Sequence, residues 1–346
     1  MAARRAQLHY LLTIFGLAGF IMIILLYQHQ FESFWHDYRL LRWYMILVVI
    51  AVLLGSYLAN SICYRSTLKM FNRKVKISHL FGAGLAANFV NYILPSAGLA
   101  GTGYFSQALS PDVARGESVL TQLTHYALSA LALIVTAPLG LALIILNSSA
   151  NRAIVRPTVF SAAGIFMFTA ILIAFIEQEK KLRQSSAWLD KKISSILTKL
   201  GGKEISTEKF LNDFYQGYRV LTSKKIQLLK PFAWTVIYVM VEWLSFYLVF
   251  AAFDRYVNPG IIIMFYFFSS IASIVGGNLF SLGIYELGSA GILVVLGVPF
   301  ALALAVNVTY RVLSIATGIP LGFYYYRRYL PRTLRTGTPI TEESNK

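Results

Sequence analysis

The sequence predicts an all-α polytopic membrane protein, with about six full spans and two re-entrant broken hairpins arranged as an inverted repeat. Three observations carry that expectation: an apolar composition, six long apolar runs, and two further apolar stretches interrupted by proline and glycine. Of the 346 residues, 57% are apolar and only 13% charged, and the mean hydropathy is +0.61. Soluble domains carry charge on about a quarter of their residues. Apolar runs at 8–27, 43–62, 118–146, 158–176, 231–253 and 299–326 each approach or exceed the roughly 20 residues that a helix needs to cross hydrocarbon.

A secretory leader is the rival reading of the first run, because Arg4 and Arg5 precede it. The run is too long for that, and no small-residue cleavage site follows Tyr27. The single cysteine, Cys63, excludes an internal disulfide and a cysteine-based metal cluster. The five histidines, at 9, 29, 36, 79 and 125, show no metal-ligand spacing. No metal and no cofactor are expected.

The formal charge of +16 would suit a nucleic-acid binder, so the placement of the charges decides. Of the 31 Lys and Arg, 25 fall in the N-terminus, the 63–78 and 110–117 loops, the 177–230 segment and the C-terminal tail. Five fall in the opposite loops, and one, Arg311, lies inside a span. That asymmetry is the positive-inside pattern and puts both termini in the cytoplasm. The partner such a footprint selects is anionic inner-leaflet lipid, and no nucleic acid is expected. Within the basic 177–230 segment, Leu182, Leu189, Ile193, Ile196, Leu197 and Leu200 recur at helical spacing, and Gly201 and Gly202 end that helix. Ser206 and Thr207 can cap a second helix, striped by Phe210, Phe214, Tyr218 and Leu221. An amphipathic pair on the inner leaflet and a solvated linker both fit.

The two interrupted stretches are the most informative. In 79–109, Pro95 removes a backbone donor and Gly98, Gly101 and Gly103 follow, so one straight helix is excluded. The stretch 261–297 is broken at Gly276, Gly277 and Asn278, and again at Gly283. Irregular backbone survives at membrane depth only when buried in protein or lining a wet cavity, so each break predicts a re-entrant hairpin beside a pathway. Asn91 matches Asn278, and similar helices follow the two hairpins. Thr124-His125-Tyr126 and Pro138-Leu139-Gly140 correspond to Val308-Thr309-Tyr310 and Pro320-Leu321-Gly322. The expectation is a single integral membrane domain, 1–346, built from an inverted repeat: 43–146 with its re-entrant 79–109, and 231–326 with its re-entrant 261–297. Secondary transporters use this architecture, with substrate near the midplane.

Ionisable residues inside spans cost about 2.5–3.5 kcal/mol each on insertion scales and mark function or mutual pairing. Glu242 sits mid-span, Glu286 follows the second break, and Arg311 lies in the last span. A Glu286–Arg311 ion pair that holds two elements together and a lipid-headgroup contact are both open. Glu242 and His125 are a proton or polar site, or carboxyl and imidazole groups satisfied within the bundle. The run Gly98-Leu99-Ala100-Gly101-Thr102-Gly103 lacks the Gly-Lys-Ser/Thr ending of an ATP site. Its backbone donors could cradle a phosphate, or its small residues could pack helices. No nucleophile triad or catalytic carboxylate pair stands out, so an enzyme is not expected.

With those residues in view, the chain resembles the transmembrane region of the lysylphosphatidylglycerol synthase and flippase family. The likeness is strongest over 277–328, where Leu282-Gly283-Ile284-Tyr285-Glu286 precedes Leu296-Gly297-Val298, Tyr310-Arg311 and Gly322. Asn91-Tyr92-Ile93-Leu94-Pro95, with Gly98 and Gly101, looks like the family's first signature. The resemblance implies a lipid translocase with two re-entrant elements. Two departures matter. Many members carry a charged pair after the Leu-Pro, whereas Ser96 through Phe105 is uncharged here. Longer members append an aminoacyltransferase domain, whereas about twenty residues follow Tyr326, so synthesis of aminoacylated lipid is not expected.

The resulting expectation is a flippase-like transporter of a prokaryotic plasma membrane, moving a phospholipid or lipid-linked headgroup between leaflets. Glu286, Arg311, Asn91, Asn278, Gly98 and Gly101 are its substrate-binding set. The alternatives are the membrane subunit of an aminoacyl or glycosyl transferase, and a small-solute secondary transporter. Partners compatible with the reading are membrane phospholipid, a separate transferase and a second copy of the chain.

Overall fold

The computed structural model describes residues 41–94, 98–110, 112–147, 207–276 and 284–329, with Tyr38, Arg39 and Met167; over 207–211, 271–276 and 284–287 it describes the backbone alone. Among the described residues there are nine α-helices and no strand. They are α1 Trp43–Met70, α2 Ile77–Ile93, α3 Leu99–Leu109, α4 Arg115–Asn147, α5 Thr207–Ser223, α6 Leu229–Ala252, α7 Pro259–Gly276, α8 Ile284–Val295 and α9 Phe300–Tyr329, with a 3-10 turn at Lys225–Leu228 before α6.

Four of these, α1, α4, α6 with its leading turn, and α9, are long and apolar enough to cross a membrane. Each grows from one of the expected runs. The runs at 8–27 and 158–176 lie outside the described residues. Helix α1 continues well past the apolar run to Met70. Its polar residues stay helical by turning hydroxyls back on the chain: Ser61 Oγ donates to the Tyr57 carbonyl and Thr67 Oγ1 to the Cys63 carbonyl, four residues earlier. The connection after α1 is therefore shorter than the expected 63–78 loop.

Helices α1, α6 and α8 stop by the same device. Asn72 (φ 59°), Asp254 (φ 56°) and Gly297 (φ 96°) adopt the left-handed conformation just past the helix end. The amides of Arg73, Arg255 and Val298 then donate to the carbonyls of Leu68, Phe250 and Leu293. This closes a Schellman motif that satisfies the last carbonyls.

The chain divides into two compact units, each holding one helix pair and part of every long helix. The α2–α3 unit comprises Val52–Val135, Ala162–Glu242 and Ile315–Lys346. In it the end of α9 runs back along α2. A Cβ at Gly322 would lie 2.6 Å from the Phe89 Cβ and 2.7 Å from the Leu85 carbonyl oxygen, so only glycine permits this approach. Tyr104 donates through its hydroxyl to the Tyr326 carbonyl at 2.7 Å. At the mouth of the hairpin, the His79 ring lies 5.1 Å from that of Tyr329. Its nitrogens reach the Ala108 carbonyl at 3.1 Å and the Asp112 carboxylate at 3.5 Å. Both limbs of the hairpin are thereby tied to the end of α9.

Helix α5 docks into the same unit. Phe214, Tyr215 and Leu221 are buried in a core that includes Phe71 and Leu120. A Cβ at Gly217 would meet Leu120 at 2.7 Å, so the docking is close. Beside it, Arg73 Nε donates to Glu117 Oε2 at 2.8 Å. This partner raises the already high pKa of the guanidinium further. The described part of the expected stripe, Phe214, Tyr218 and Leu221, faces protein.

The α7–α8 unit comprises Met1–Ala51, Thr136–Ser161 and Trp243–Ser314. Here α4 meets α7 as α9 meets α2. A Cβ at Gly140 would lie 2.7 Å from Ile263 Cγ2 and 3.4 Å from the Gly260 carbonyl oxygen. Asn258 fixes the joint: its Nδ2 donates to the Leu143 carbonyl at 2.8 Å, and its Oδ1 accepts from the Gly260 amide at 2.8 Å. Phe246 stacks on Phe265 at 4.5 Å and meets Tyr310 edge-on at 5.1 Å. Arg42 and Asp254 form an ion pair at 2.9 Å.

Candidate functional site: the broken hairpin and its polar surround

The interruption between α2 and α3 is built by the residues that the sequence singled out. Leu94 leaves α2 in extended conformation (φ −110°, ψ 105°), and Gly98 opens α3 at φ 86°, a left-handed value that favours glycine. Residues 95–97 lie outside the described set. Asn91, on the last turn of α2, accepts the Gly101 amide proton through Oδ1 at 2.8 Å. One side chain thus caps the helix that follows the break. Gly101 is required by the same contact, because a Cβ there would collide with the Asn91 amide.

Those bonds redefine what the glycine run can do. The Gly101 amide is given to Asn91, and the Thr102 amide to the Gly98 carbonyl at 3.0 Å. Donors considered for a phosphate cradle are engaged within the hairpin. Replacing Asn91 with alanine should leave the buried Gly101 amide without its acceptor and cost about 1–2 kcal/mol of stability. Asn91→Asp, which keeps an acceptor, should recover most of it. Unfolding of the detergent-solubilised protein, followed by circular dichroism, measures both.

A polar group stands beside the break. Thr102, 7% exposed, turns its hydroxyl between the Gly98 carbonyl at 2.9 Å and Gln122 Oε1 at 2.8 Å. Tyr126 donates to the same Gln122 oxygen at 3.3 Å. One turn along α4, His125 is buried between the edges of Tyr64, at 5.2 Å, and Tyr238, at 5.4 Å. Its Nδ1 lies 3.6 Å from the Cys63 sulfur, which also meets Thr235 Oγ1 at 3.1 Å. His125 therefore sits in an interhelical contact among α1, α4 and α6. Glu242, half-buried on α6, has Tyr57 and Tyr238 within electrostatic reach.

Asn91 and Gly101 are thus in direct contact and Gly98 opens the same helix as Gly101, with His125 and Glu242 in the same unit. Arg311 belongs to the α7–α8 unit, next to Tyr310, whose hydroxyl accepts from Tyr266 at 2.9 Å. The Nε of Arg311 is shielded from solvent. Glu286 is the third residue of α8. Its side chain, Asn278 and the 277–283 break lie outside the described residues, and so does the proposed Glu286–Arg311 contact. Sequence reasoning missed Thr102, Gln122, Tyr57, Tyr92 and Tyr238. The available signal was the position of Gln122 inside an apolar run and of tyrosines away from the membrane interfaces that they usually favour.

Comparison with known proteins identifies the family. The profile of the lysylphosphatidylglycerol synthase TM region matches residues 11–322. The chain belongs to that family. No curated protein matches the chain, and no solved structure does. As a member of the lysylphosphatidylglycerol synthase TM family with several apolar spanning helices, it is a multi-pass membrane protein. The match reaches Gly322, the glycine on which α9 closes against α2.

Proposed function

We propose that this chain is a flippase-like transporter that moves a phospholipid or lipid-linked headgroup between membrane leaflets. The observation that carries the reading is the break between α2 and α3, beside buried Thr102 and Gln122. Interrupted backbone at membrane depth persists where it is buried in protein or lines a wet cavity, and a pathway beside the break is the second of these. Transporters hold substrate at such interrupted helices. The family's name supplies the lipid class. The substrate set is Glu286, Arg311, Asn91 and Asn278, with Gly98 and Gly101 shaping the break.

The inverted repeat belongs to the same proposal, and side-chain contacts support it. The Pro-Leu-Gly of α4 places Gly140 against the first limb of the second hairpin, and the Pro-Leu-Gly of α9 places Gly322 against the first limb of the first. Each repeat's last helix thereby runs antiparallel to the other repeat's hairpin, with Gly140 meeting the start of α7 and Gly322 the second half of α2, registers about two to three turns apart. The first helix of each repeat ends alike, at Asn72-Arg73 and Asp254-Arg255.

Opposite insertion of the repeats has a direct test. With both termini in the cytoplasm of a prokaryotic plasma membrane, Ile284→Cys should react with an impermeant thiol reagent from outside and Ala97→Cys from inside. Cys63 is fully buried and leaves the background low. Labelling of both positions from the same side would remove the inverted arrangement.

A small-solute transporter is the reading that Glu242 and its surround would otherwise favour. Liposomes containing the purified protein separate the two: transbilayer movement of a fluorescent phospholipid without uptake of soluble solutes is the expected result.

A further inference from the structure

The groups around Glu242 bear on what drives this transport, and the inference rests on the lipid reading above. Glu242 occupies the middle of α6, thirteen residues after Leu229 and ten before Ala252. A carboxylate at such depth is costly while charged, and protonation removes that cost.

Helix α6 is held against α1 at this level: Val241 comes to 4.0 Å from where a Cβ on Gly55 would stand. Tyr57, two residues further along α1, lies within electrostatic reach of Glu242. So does Tyr238, one turn earlier on α6. Gly318 on α9 makes room for this group, since a Cβ there would be 3.1 Å from the Tyr57 hydroxyl and 3.9 Å from the Tyr92 ring. Tyr92 is on the last turn of α2, at the backbone break, and is 41% exposed. In the other direction Tyr238 meets His125, which meets Tyr64 and Tyr126. Among the described residues, Tyr57 from α1 and Tyr238 from α6 itself are the titratable groups within reach of Glu242, and behind them stand Tyr92 from α2, Tyr64 from α1, and His125 and Tyr126 from α4.

Phenol and imidazole groups each donate and accept, so a row of them passes a proton without holding a permanent charge. The carboxylate is the member of the row that stores one. The row begins at Tyr92, where the broken hairpin brings the proposed substrate.

We propose that Glu242 carries a coupling proton for lipid movement. Once per cycle the carboxylate takes one proton from one side of the membrane by way of Tyr92 and Tyr57. It returns to carboxylate by releasing that proton to the other side after the headgroup has crossed. Lipid movement is then driven by the transmembrane pH difference, and one face of the break serves both substrate and proton.

The test uses the full chain in phosphatidylglycerol–phosphatidylcholine liposomes, with a fluorescent phosphatidylglycerol and a pH dye trapped inside. Gradients of about one pH unit are imposed in either direction. Initial rates of lipid crossing for the wild type should differ at least about fivefold between the two directions, since such a gradient is a tenfold ratio of proton activity. The trapped dye should report proton entry that depends on lipid. E242Q should give equal rates in both directions and no dye signal, while eluting as the same monodisperse species. If E242Q fails to fold, Y57F and Y92F, which remove only hydroxyls of the row, should each lower the ratio of the two rates. Wild-type lipid movement that ignores the gradient would overturn the proton role and leave the lipid reading standing. A gradient response retained in folded E242Q would overturn the assignment to Glu242. A wild type that moves no lipid would take both readings with it.

Discussion

Glu286→Gln and Arg311→Gln are each expected to reduce lipid movement by the reconstituted protein at least about tenfold while leaving insertion and folded yield near wild type. The reasoning starts from cost: a charged residue at membrane depth forfeits about 2.5–3.5 kcal/mol on insertion scales, so it is retained for a task or for a partner. Arg311 lies twelve residues into α9, inside a helix apolar enough to span, with Nε shielded from solvent. Glu286 opens the helix that follows the second break. If the two were only a structural pair, each single change would strand a charge and lower folded yield, and the double change would restore it. If they handle the headgroup, the double mutant transports no better than either single one. The cycle of Glu286→Gln, Arg311→Gln and both together is scored for folded yield and for lipid movement. Recovery of transport in the double mutant would leave the pair as scaffolding.

The second large effect concerns stability. Gly322→Ala should destabilise the protein by about 2–3 kcal/mol, and Gly322→Leu should prevent folding. A Cβ at 322 would press on the Phe89 Cβ and the Leu85 carbonyl oxygen, both fixed to the α2 backbone, so the helices must separate. Gly140→Ala faces Ile263 Cβ at 2.9 Å as well as its Cγ2, and should behave similarly. Gly291, inside α8, meets nothing within 4 Å. Its replacement by alanine should be neutral or gain up to about 1 kcal/mol from helix propensity. Thermal unfolding monitored by size-exclusion chromatography separates these outcomes. Equal tolerance at 322 and 291 would contradict the close helix contact.

The parts of this architecture visible in the sequence are those set by apolar length and by backbone exceptions. The run at 118–146 becomes Arg115–Asn147, because a helix in lipid must satisfy its own backbone and has few ways to stop inside an apolar stretch. Pro95 and Gly98 announce the first break for the same reason. Other features depend on information that one-dimensional patterns lack. The stripe of α5 was readable as amphipathic, but a lipid surface and a protein core are both apolar, so the pattern could not say that Phe214 and Leu221 bury against Phe71 and Leu120. Asn91 reads in the sequence as a substrate contact, and its bond across the hairpin to Gly101 is a further, structural duty that only the fold reveals. Tyr238 stands one turn from Glu242 on α6 and could be read from spacing, but the approach of Tyr57 from α1, with Tyr92 from α2 behind it, is a tertiary meeting that no local spacing encodes.

Lipid translocation is tested most directly by following a headgroup-labelled fluorescent phospholipid in liposomes that contain the purified full chain. The outer leaflet is bleached with an impermeant reductant. The account predicts that the fraction of label reachable from outside exceeds that in protein-free liposomes, rises with the protein-to-lipid ratio, and falls back for Arg311→Gln. A bleached fraction that matches protein-free liposomes at every ratio, with the protein folded and inserted, would contradict it.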